Sequence, residues 1–518
     1  MREPRPIIDD RRGQDRRRFA VLAAACLAVF AINLDTTIVN VALPELALRL
    51  DAGTRDLQWI VDGYNLAFAA LVLIGGSIGD RFGRRPTLLA GLLGFAATSA
   101  LGALCSDAGE LIAVRFAMGA CAALIFPTTL SIITNAFPER RERAKAIGVW
   151  GAVTGIGVAV GPITGGELLA HFWWGSVFLA LTPVALLAAA LTFVLVPESS
   201  DPAAARIDLP GLATASASIG VLVYTVIEAP QRGWTAPLST AGFLATGALV
   251  VLFVAIERRA SSPMIDVGLF RTPAFSAASA AVTVAFFALF GFIFLITQYF
   301  QFIRGYGALS TGVRILPVAV TIAIGSVVGA LLASRIGTRV IVVSGLLIFG
   351  AAFAWIAVSP TFLPYRQIVG QMVLLGTGLG MTTAPATESI LSVLPPAKAG
   401  IGSAVNDATR EAGGTLGVAV IGSVFTSVYA QHLAHAPAAV RNSVGTAIAT
   451  AGRTQDFALL TEVQSSFMHA LHIACLVGAA VCWLGAIGAL LLPGRVRAAT
   501  ATPRTTLCGQ PRPAQFSW

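Results

Sequence analysis

Residues 148–166 read Gly148-Val-Trp-Gly-Ala-Val-Thr-Gly-Ile-Gly-Val-Ala-Val-Gly-Pro-Ile-Thr-Gly-Gly166, with no charge before Glu167. Seven of these positions are glycine (Gly148, Gly151, Gly155, Gly157, Gly161, Gly165 and Gly166), and Pro162 directly follows Gly161. In lipid, small residues let two helix backbones approach closely. Proline removes a helical hydrogen bond, and in a bilayer a neighbour must satisfy the carbonyl it frees. The expectation is a kinked membrane helix lying tightly on another, at a place able to open and close.

The rest of the chain has the same solvent preference. Of its 518 residues 56% are hydrophobic and 12% charged, and the mean hydropathy is +0.79. A soluble globular chain carries roughly 25% charged residues, so this is an all-α polytopic membrane protein. Its net charge of +9 does not point to nucleic acid, because the basic residues sit at the ends of apolar runs. The six cysteines form no CxxC or zinc spacing, and the histidines show no metal spacing. The basic N-terminus runs into a long apolar stretch with no A-x-A-like cleavage site after it and reads as the lead-in to an uncleaved first span.

A span needs about 20 apolar residues. Fourteen stretches qualify: 19–42, 57–79, 87–106, 109–132, 145–168, 174–196, 209–229, 238–257, 274–299, 313–334, 339–359, 367–391, 400–429 and 467–493. An even count puts both tails on one side. Twenty-five of the 35 Lys and Arg residues lie in the tails and in the loops after even-numbered spans, against eight on the other face. Positive loops mark the cytoplasmic side, so both termini are expected inside. The expected division is a tail (1–18), a six-helix bundle (19–197), a two-helix insert holding spans seven and eight with their flanking loops (198–272), a second six-helix bundle (273–493) and a polar tail (494–518) that reads as disordered. The 430–465 loop receives no function.

An internal repeat supports two halves. Gly76-Ser-Ile-Gly-Asp80-Arg81-Phe-Gly83-Arg84-Arg85 follows the second span, and a degraded copy, Ala330-Leu-Leu-Ala-Ser334-Arg335-Ile-Gly337-Thr338-Arg339, follows the tenth. Parallel six-span repeats about an axis along the membrane normal are the plan of the major facilitator fold. The order G-x8-G-x3-G-P-x2-G-G, from Gly148 through Gly157, Gly161, Pro162, Gly165 and Gly166, is similar to the antiporter signature of that superfamily's exporters. Gly76 to Arg85 resembles its cytoplasmic loop motif. Arg115 with Gly119 resembles a third motif, although Met118 stands where Gln is usual. Leu34 to Pro44, Trp59 to Tyr64, His171 to Phe178, Glu228 to Trp234 and Gly402 to Gly414 complete a likeness, over nearly the whole length, to the fourteen-span drug:proton antiporters of the EmrB/QacA type. Leu181 departs from it, where an Asn often precedes Pro183. The resemblance implies expulsion of lipophilic cations and dyes in exchange for protons.

Ionisable groups inside spans cost about 2.5–3.5 kcal/mol each to insert, which makes them functional candidates. Asp35 lies about 24 Å into a span entering from inside, and Asp62 and Arg115 lie about 7–8 Å into spans entering from outside, so all three can share a level. A carboxylate poised between burial and an arginine can take up a proton on one side and release it on the other. The alternative for Asp35 is a structural hydrogen bond fixing Thr36 or Asn40. Asp407 and Glu411 are four apart on one helix, with Arg410 able to pair with Asp407 at i+3. Two acids there suit a lipophilic cation whose body meets Phe286, Phe287, Phe290, Phe292 or Phe294. The alternative is a structural ion pair and a Phe run facing lipid or core. Gly76, Asp80, Arg81, Gly83, Arg84 and Arg85 read as a gating loop closing the two halves on the inner side.

These residues point to a proton-coupled multidrug exporter of the bacterial inner membrane, functional as a monomer. Its partners are lipophilic or cationic small molecules, protons and the bilayer. No cofactor beyond the proton gradient is expected, since no G-x4-G-K-[ST] is present. Export of an endogenous lipid or a self-made antibiotic is the alternative by the same mechanism. A membrane enzyme lacks a motif here, with no His-x4-Asp, and a non-transporting receptor does not need acids inside spans.

Overall fold

A computed structural model describes residues 8–200, 208–260, 267–393 and 399–493. Arg11, Arg12, Arg16, Arg17 and Arg18 lie within the first helix. Arg2, Arg5, Arg206, Lys398 and the tail from 494 onward lie outside the described residues.

The helices in order are α1 (Ile8–Arg49), α2 (Thr54–Phe82), α3 (Arg84–Gly102), α4 (Ala108–Ala136), α5 (Arg140–His171), α6 (Ser176–Leu179), α7 (Leu181–Leu195), α8 (Leu209–Arg232), α9 (Pro237–Glu257), α10 (Pro273–Gln298), α11 (Ala308–Ile336), α12 (Thr338–Ala357), α13 (Tyr365–Ser392), α14 (Ala399–His432), α15 (Ala438–Asn442), α16 (Val444–Thr454) and α17 (Phe457–Ala489). Each of the fourteen candidate stretches falls on a helix, with α6 and α7 sharing one. Among the described residues eleven helices are long and apolar enough to cross a membrane, twelve if α2, bent by 52°, is taken as one span. The helices α3 and α13 are less apolar and are not among them. The 430–465 segment is more than a loop. It folds into α15 and α16 and the first turns of α17, with Val440, Val444, Ala447 and Ala451 buried.

The repeat seen in sequence is a repeat of geometry. Helices α2 and α11 are each 29 residues long and each begins after an extended glycine, Gly53 or Gly307. Each ends at a glycine with positive φ: Gly83 at φ 104°, ψ 133° and Gly337 at φ 102°, ψ 146°. Residues with a Cβ rarely adopt that conformation. The arginine two residues on donates to the end of a later helix in both copies: Arg85 Nη2 to the Phe193 carbonyl at 2.5 Å, and Arg339 Nε to the Leu492 carbonyl at 2.6 Å. Helix partners repeat too. α1 packs on α5, α4 and α7, as α10 packs on α14, α13 and α17, and α2 packs on α4 as α11 packs on α13.

With lipid as apolar as any side chain, close packing of small residues has to hold such contacts. A Cβ on Gly161 would lie 2.0 Å from Thr37 Oγ1, and one on Gly165 2.8 Å from an Ile38 side-chain carbon, so α5 seats on α1 through its glycines. The second copy uses the same spacing. A Cβ on Gly413 would lie 2.4 Å from the Thr283 carbonyl, and one on Gly417 2.1 Å from that of Phe287. Pro162 leaves the Val158 carbonyl without its helical donor, and the Thr37 hydroxyl donates to it at 3.1 Å.

The halves meet at the end of the bundle that carries Asp51. There α5 lies on α11 so closely that a Cβ on Gly166 would be 2.4 Å from Leu309 Cα, and one on Gly312 2.0 Å from the Pro162 carbonyl. Toward the Gly83 end of α5, Gly148, Gly151 and Gly155 are exposed and meet nothing within 4 Å. Helix α8 lies over the other seam, on both α2 and α14. Buried Glu228 accepts from Arg55 on α2 at 2.5 Å, and Trp234 Nε1 donates to Ser427 Oγ on α14 at 3.2 Å. A Gly312→Ala substitution overpacks the α5–α11 contact. It should lower stability by about 1–3 kcal/mol and reduce disulfide cross-linking between cysteines introduced as Glu167→Cys and Ala308→Cys, checked by thermal melting and by gel shift.

Candidate functional site

Three helices converge on Arg115. The chain places it on α4, 2% exposed, against Asp35 of α1, fully buried. Arg115 Nη1 donates to Asp35 Oδ1 at 2.8 Å and Oδ2 at 2.7 Å, and Nε donates to the Ile60 carbonyl of α2 at 2.9 Å. Its guanidinium carbon lies 4.3 Å from the Tyr64 ring centroid. Arginine keeps its charge in proteins, so a buried one needs this set of acceptors. Close approach of α4 to α2 makes the set possible, because a Cβ on Gly119 would lie 2.2 Å from the Tyr64 carbonyl. Thr36 and Asn40 do not use Asp35; their side chains donate to the Ile32 and Thr36 carbonyls.

Asp62 does not join this pair. It is fully buried, yet neither carboxylate oxygen has a hydrogen-bond partner among the described residues. The reason is helical phase. Asp62 stands two residues from both Ile60 and Tyr64, about 200° round the helix from the face that meets Arg115. Its face carries Gln58 and Asn65 and looks toward α14. Gln58 Nε2 donates to the Val418 and Ala419 carbonyls at 3.3 and 3.2 Å and to Ser423 Oγ at 3.3 Å. Gln58 Oε1 and Asn65 Nδ2 are, like Asp62, buried without a partner among the described residues. Sequence reasoning passed over this polar stripe at 58, 62 and 65, although its i, i+4, i+7 spacing was the signal.

On α14 the structure brings Asp407, Arg410 and Glu411 onto adjoining faces. Arg410 Nη1 lies 3.8 Å from Asp407 Oδ1, a loose pair, and its guanidinium carbon is 4.5 Å from the Phe286 ring centroid. Asn406 Nδ2 reaches Asp407 Oδ1 at 3.5 Å and its Oδ1 accepts from Thr387 at 2.9 Å. Glu411 is half-buried. Of the phenylalanine run, Phe287, Phe292 and Phe294 are buried core, while Phe286 and Phe290 are half-buried toward α14.

The loop motif folds onto its own half. Asp80 accepts from Arg84 at 2.8 Å, the Arg84 amide donates to the Ser199 carbonyl at 2.8 Å, and Arg81 lies against the Phe82 ring. Gly76 faces Pro127 of α4. Between the halves, beside Pro162, an apolar cavity of about 50 Å³ is lined by Thr37, Asn40 and Val41 on one side and Leu289, Ile293 and Thr297 on the other. No group of three or more His, Cys, Asp or Glu side chains able to hold a metal occurs among the described residues. The arrangement offers carboxyl groups deep in an apolar bundle, on helices from both halves.

Comparison with known proteins gives this arrangement a family. The Major Facilitator Superfamily profile matches residues 25–418. The chain is 37% identical over 414 residues to multidrug resistance protein Stp of Mycobacterium tuberculosis, covering 80% of this chain and 77% of that one. It is 31% identical over 486 residues to methyl viologen resistance protein SmvA of Salmonella typhimurium, covering 91% and 97%. Among solved structures it resembles a bacterial homologue of the human lysosomal transporter Spinster, crystallised inward-facing and occupied, with a TM-score of 0.68 at 15% identity over 92% of this chain and 96% of that one. The chain belongs to the Major Facilitator Superfamily and is a multi-pass membrane protein with that superfamily's all-helical transporter fold.

Proposed function

We propose that this protein is a proton-coupled exporter of lipophilic and cationic drugs, dyes or biocides, of the fourteen-span EmrB/QacA type. Its spans are arranged as six, two and six, with both tails in the cytoplasm of a bacterial cell, and it works as a monomer in the inner membrane. The observation that carries this reading is the set of acids sunk in the bundle: Asp35 locked to Arg115, Asp62 buried without a partner among the described residues, and Asp407 and Glu411 around Arg410. The names of the relatives, one a multidrug resistance protein and one a methyl viologen resistance protein, favour drugs as cargo.

In this reading the closed Asp51 end is the outer one, so the described state opens to the cytoplasm. A cation enters from the inner leaflet or cytoplasm and meets the acids of α14. Opening outward requires α5 to leave α11 and α2 to leave α14. Protons arriving from outside neutralise carboxylates and displace the cation, and they return to the cytoplasm in the inward state. The Asp80–Arg85 loop closes the inner side in the alternate state.

The direct test is ethidium transport in everted vesicles. Collapse of the proton gradient should abolish accumulation at once; an ethidium gradient that persists contradicts the coupling. The two N-half acids should separate in stability. Arg115→Ala leaves Asp35 buried without its counter-charge and should cost about 3–5 kcal/mol, with loss of folded protein on gel filtration. Asp62→Asn replaces a buried carboxyl group that has no partner among the described residues, so melting should stay at or above the wild-type temperature while uphill efflux falls to background. Wild-type efflux by the Asp62→Asn protein contradicts its assigned role.

A further inference from the structure

At the Asp51 end of the second half, two arginines meet on one ring. Arg304 follows the π turn Tyr299–Ile303, and Arg314 lies in the second turn of α11. Their guanidinium carbons are 5.5 and 4.2 Å from the Tyr306 centroid. Arg304 also lies 5.9 Å from the Phe362 centroid, and Arg314 5.6 Å from that of Tyr365. Arg304 donates to the Leu363 carbonyl at 2.7 Å and to the Tyr306 hydroxyl at 3.0 Å, while Arg314 donates only within its own helix, to Ser310. Among the described residues neither has a carboxylate within 4.0 Å, although ion pairs serve Arg18, Arg49, Arg55, Arg84, Arg115, Arg232 and Arg410. Both are half-buried, so they are not simply extended into water. Two positive charges held on one ring repel each other, the more so next to apolar surroundings.

The surroundings specify what would relieve this. Tyr306 and Tyr365 are of a residue type that gathers where lipid head groups meet the apolar layer. From Val313, next to Arg314, a stripe of exposed apolar residues at helical spacing runs along α11 toward its far end: Val320, Ile324, Val327 and Leu331. Arg366, exposed, stands beside Tyr365. Guanidinium groups are suited to phosphate oxygens by geometry as well as charge. We propose that the crevice of Arg304, Tyr306, Arg314 and Tyr365 binds the phosphodiester of an anionic glycerophospholipid whose acyl chains lie along the Val313–Leu331 stripe. An anionic lipid is specified over a zwitterionic one because an ammonium group would be brought toward two unpaired cations.

The test uses the full-length protein in detergent, titrated with phosphatidylglycerol or phosphatidylethanolamine, with retained lipid read by native mass spectrometry and stability by thermal melting. The wild type should retain phosphatidylglycerol in preference and melt higher with it. Arg314→Gln, which breaks no hydrogen bond between helices, should retain about tenfold less, the loss expected for one charge-assisted hydrogen bond. Arg314→Lys should retain an intermediate amount. In wild-type protein 1 M salt should strip the phosphatidylglycerol, since screening shortens to about 3 Å; this arm does not depend on any variant folding. Equal retention of the two lipids, undiminished retention by Arg314→Gln, or an equal rise in melting temperature with inorganic phosphate alone would overturn the proposal.

Discussion

A permanent positive charge in the interior of a lipid-embedded bundle is the constraint from which the first half is built. Arg115 cannot neutralise itself, so its neighbours must supply acceptors, and they come from three helices: Asp35 of α1, the Ile60 carbonyl of α2 and the face of Tyr64. The ion pair fixes the mutual rotation of α1, α2 and α4. It also couples them to the charge state of one carboxyl group, because a protonated Asp35 would leave Arg115 facing fewer acceptors. In a medium where charges are strongly felt, a single proton at this point would change what holds the bundle together.

Glycine seats supply the other constraint. Where α5 lies on α1, and α14 on α10, carbonyls and hydroxyls occupy the space a Cβ would need. Such contacts hold each half together, and the same kind of seat at the seam, Gly166 on Leu309 and Gly312 on Pro162, is tight without being chemically committed. The same α5 that is seated on α1 through Gly161 and Gly165 reaches α11 through Gly166, so one helix face serves the interior of a half and the next serves the seam. Thr37 illustrates the economy of the design: its hydroxyl satisfies the carbonyl that Pro162 strands, at the edge of the cavity between the halves.

Much of this was legible before any coordinates. Apolar runs placed the helices, and the glycine spacing named the face of α5 that packs. Counting 1.5 Å per residue brought Asp35 and Arg115 to one level. Depth, however, carries no angle. Asp62 shares the level but faces α14, because the seats at Gly75 and Gly119 turn the Tyr64 face of α2 toward α4. Loop interactions were illegible for a different reason: Arg85 and Arg339 bond to backbone carbonyls, which every residue has, so sequence gives no sign of the partner. The amphipathic α16 was hidden in an Ala-rich stretch whose polarity read as loop; its buried side is Val444, Gly445, Ala447 and Ala451, too few and too small to stand out.

The central claim is that cation and proton exclude one another at the buried acids. It is tested most directly by adding a lipophilic cation to purified protein in nearly unbuffered solution and following pH with an indicator. The proposed cycle predicts proton release on binding by the wild type, and none by a protein in which Asp35, Asp62, Asp407 and Glu411 are replaced by their amides yet which remains folded. Cation binding by the wild type with no proton released, or equal release from the amide protein, would contradict it.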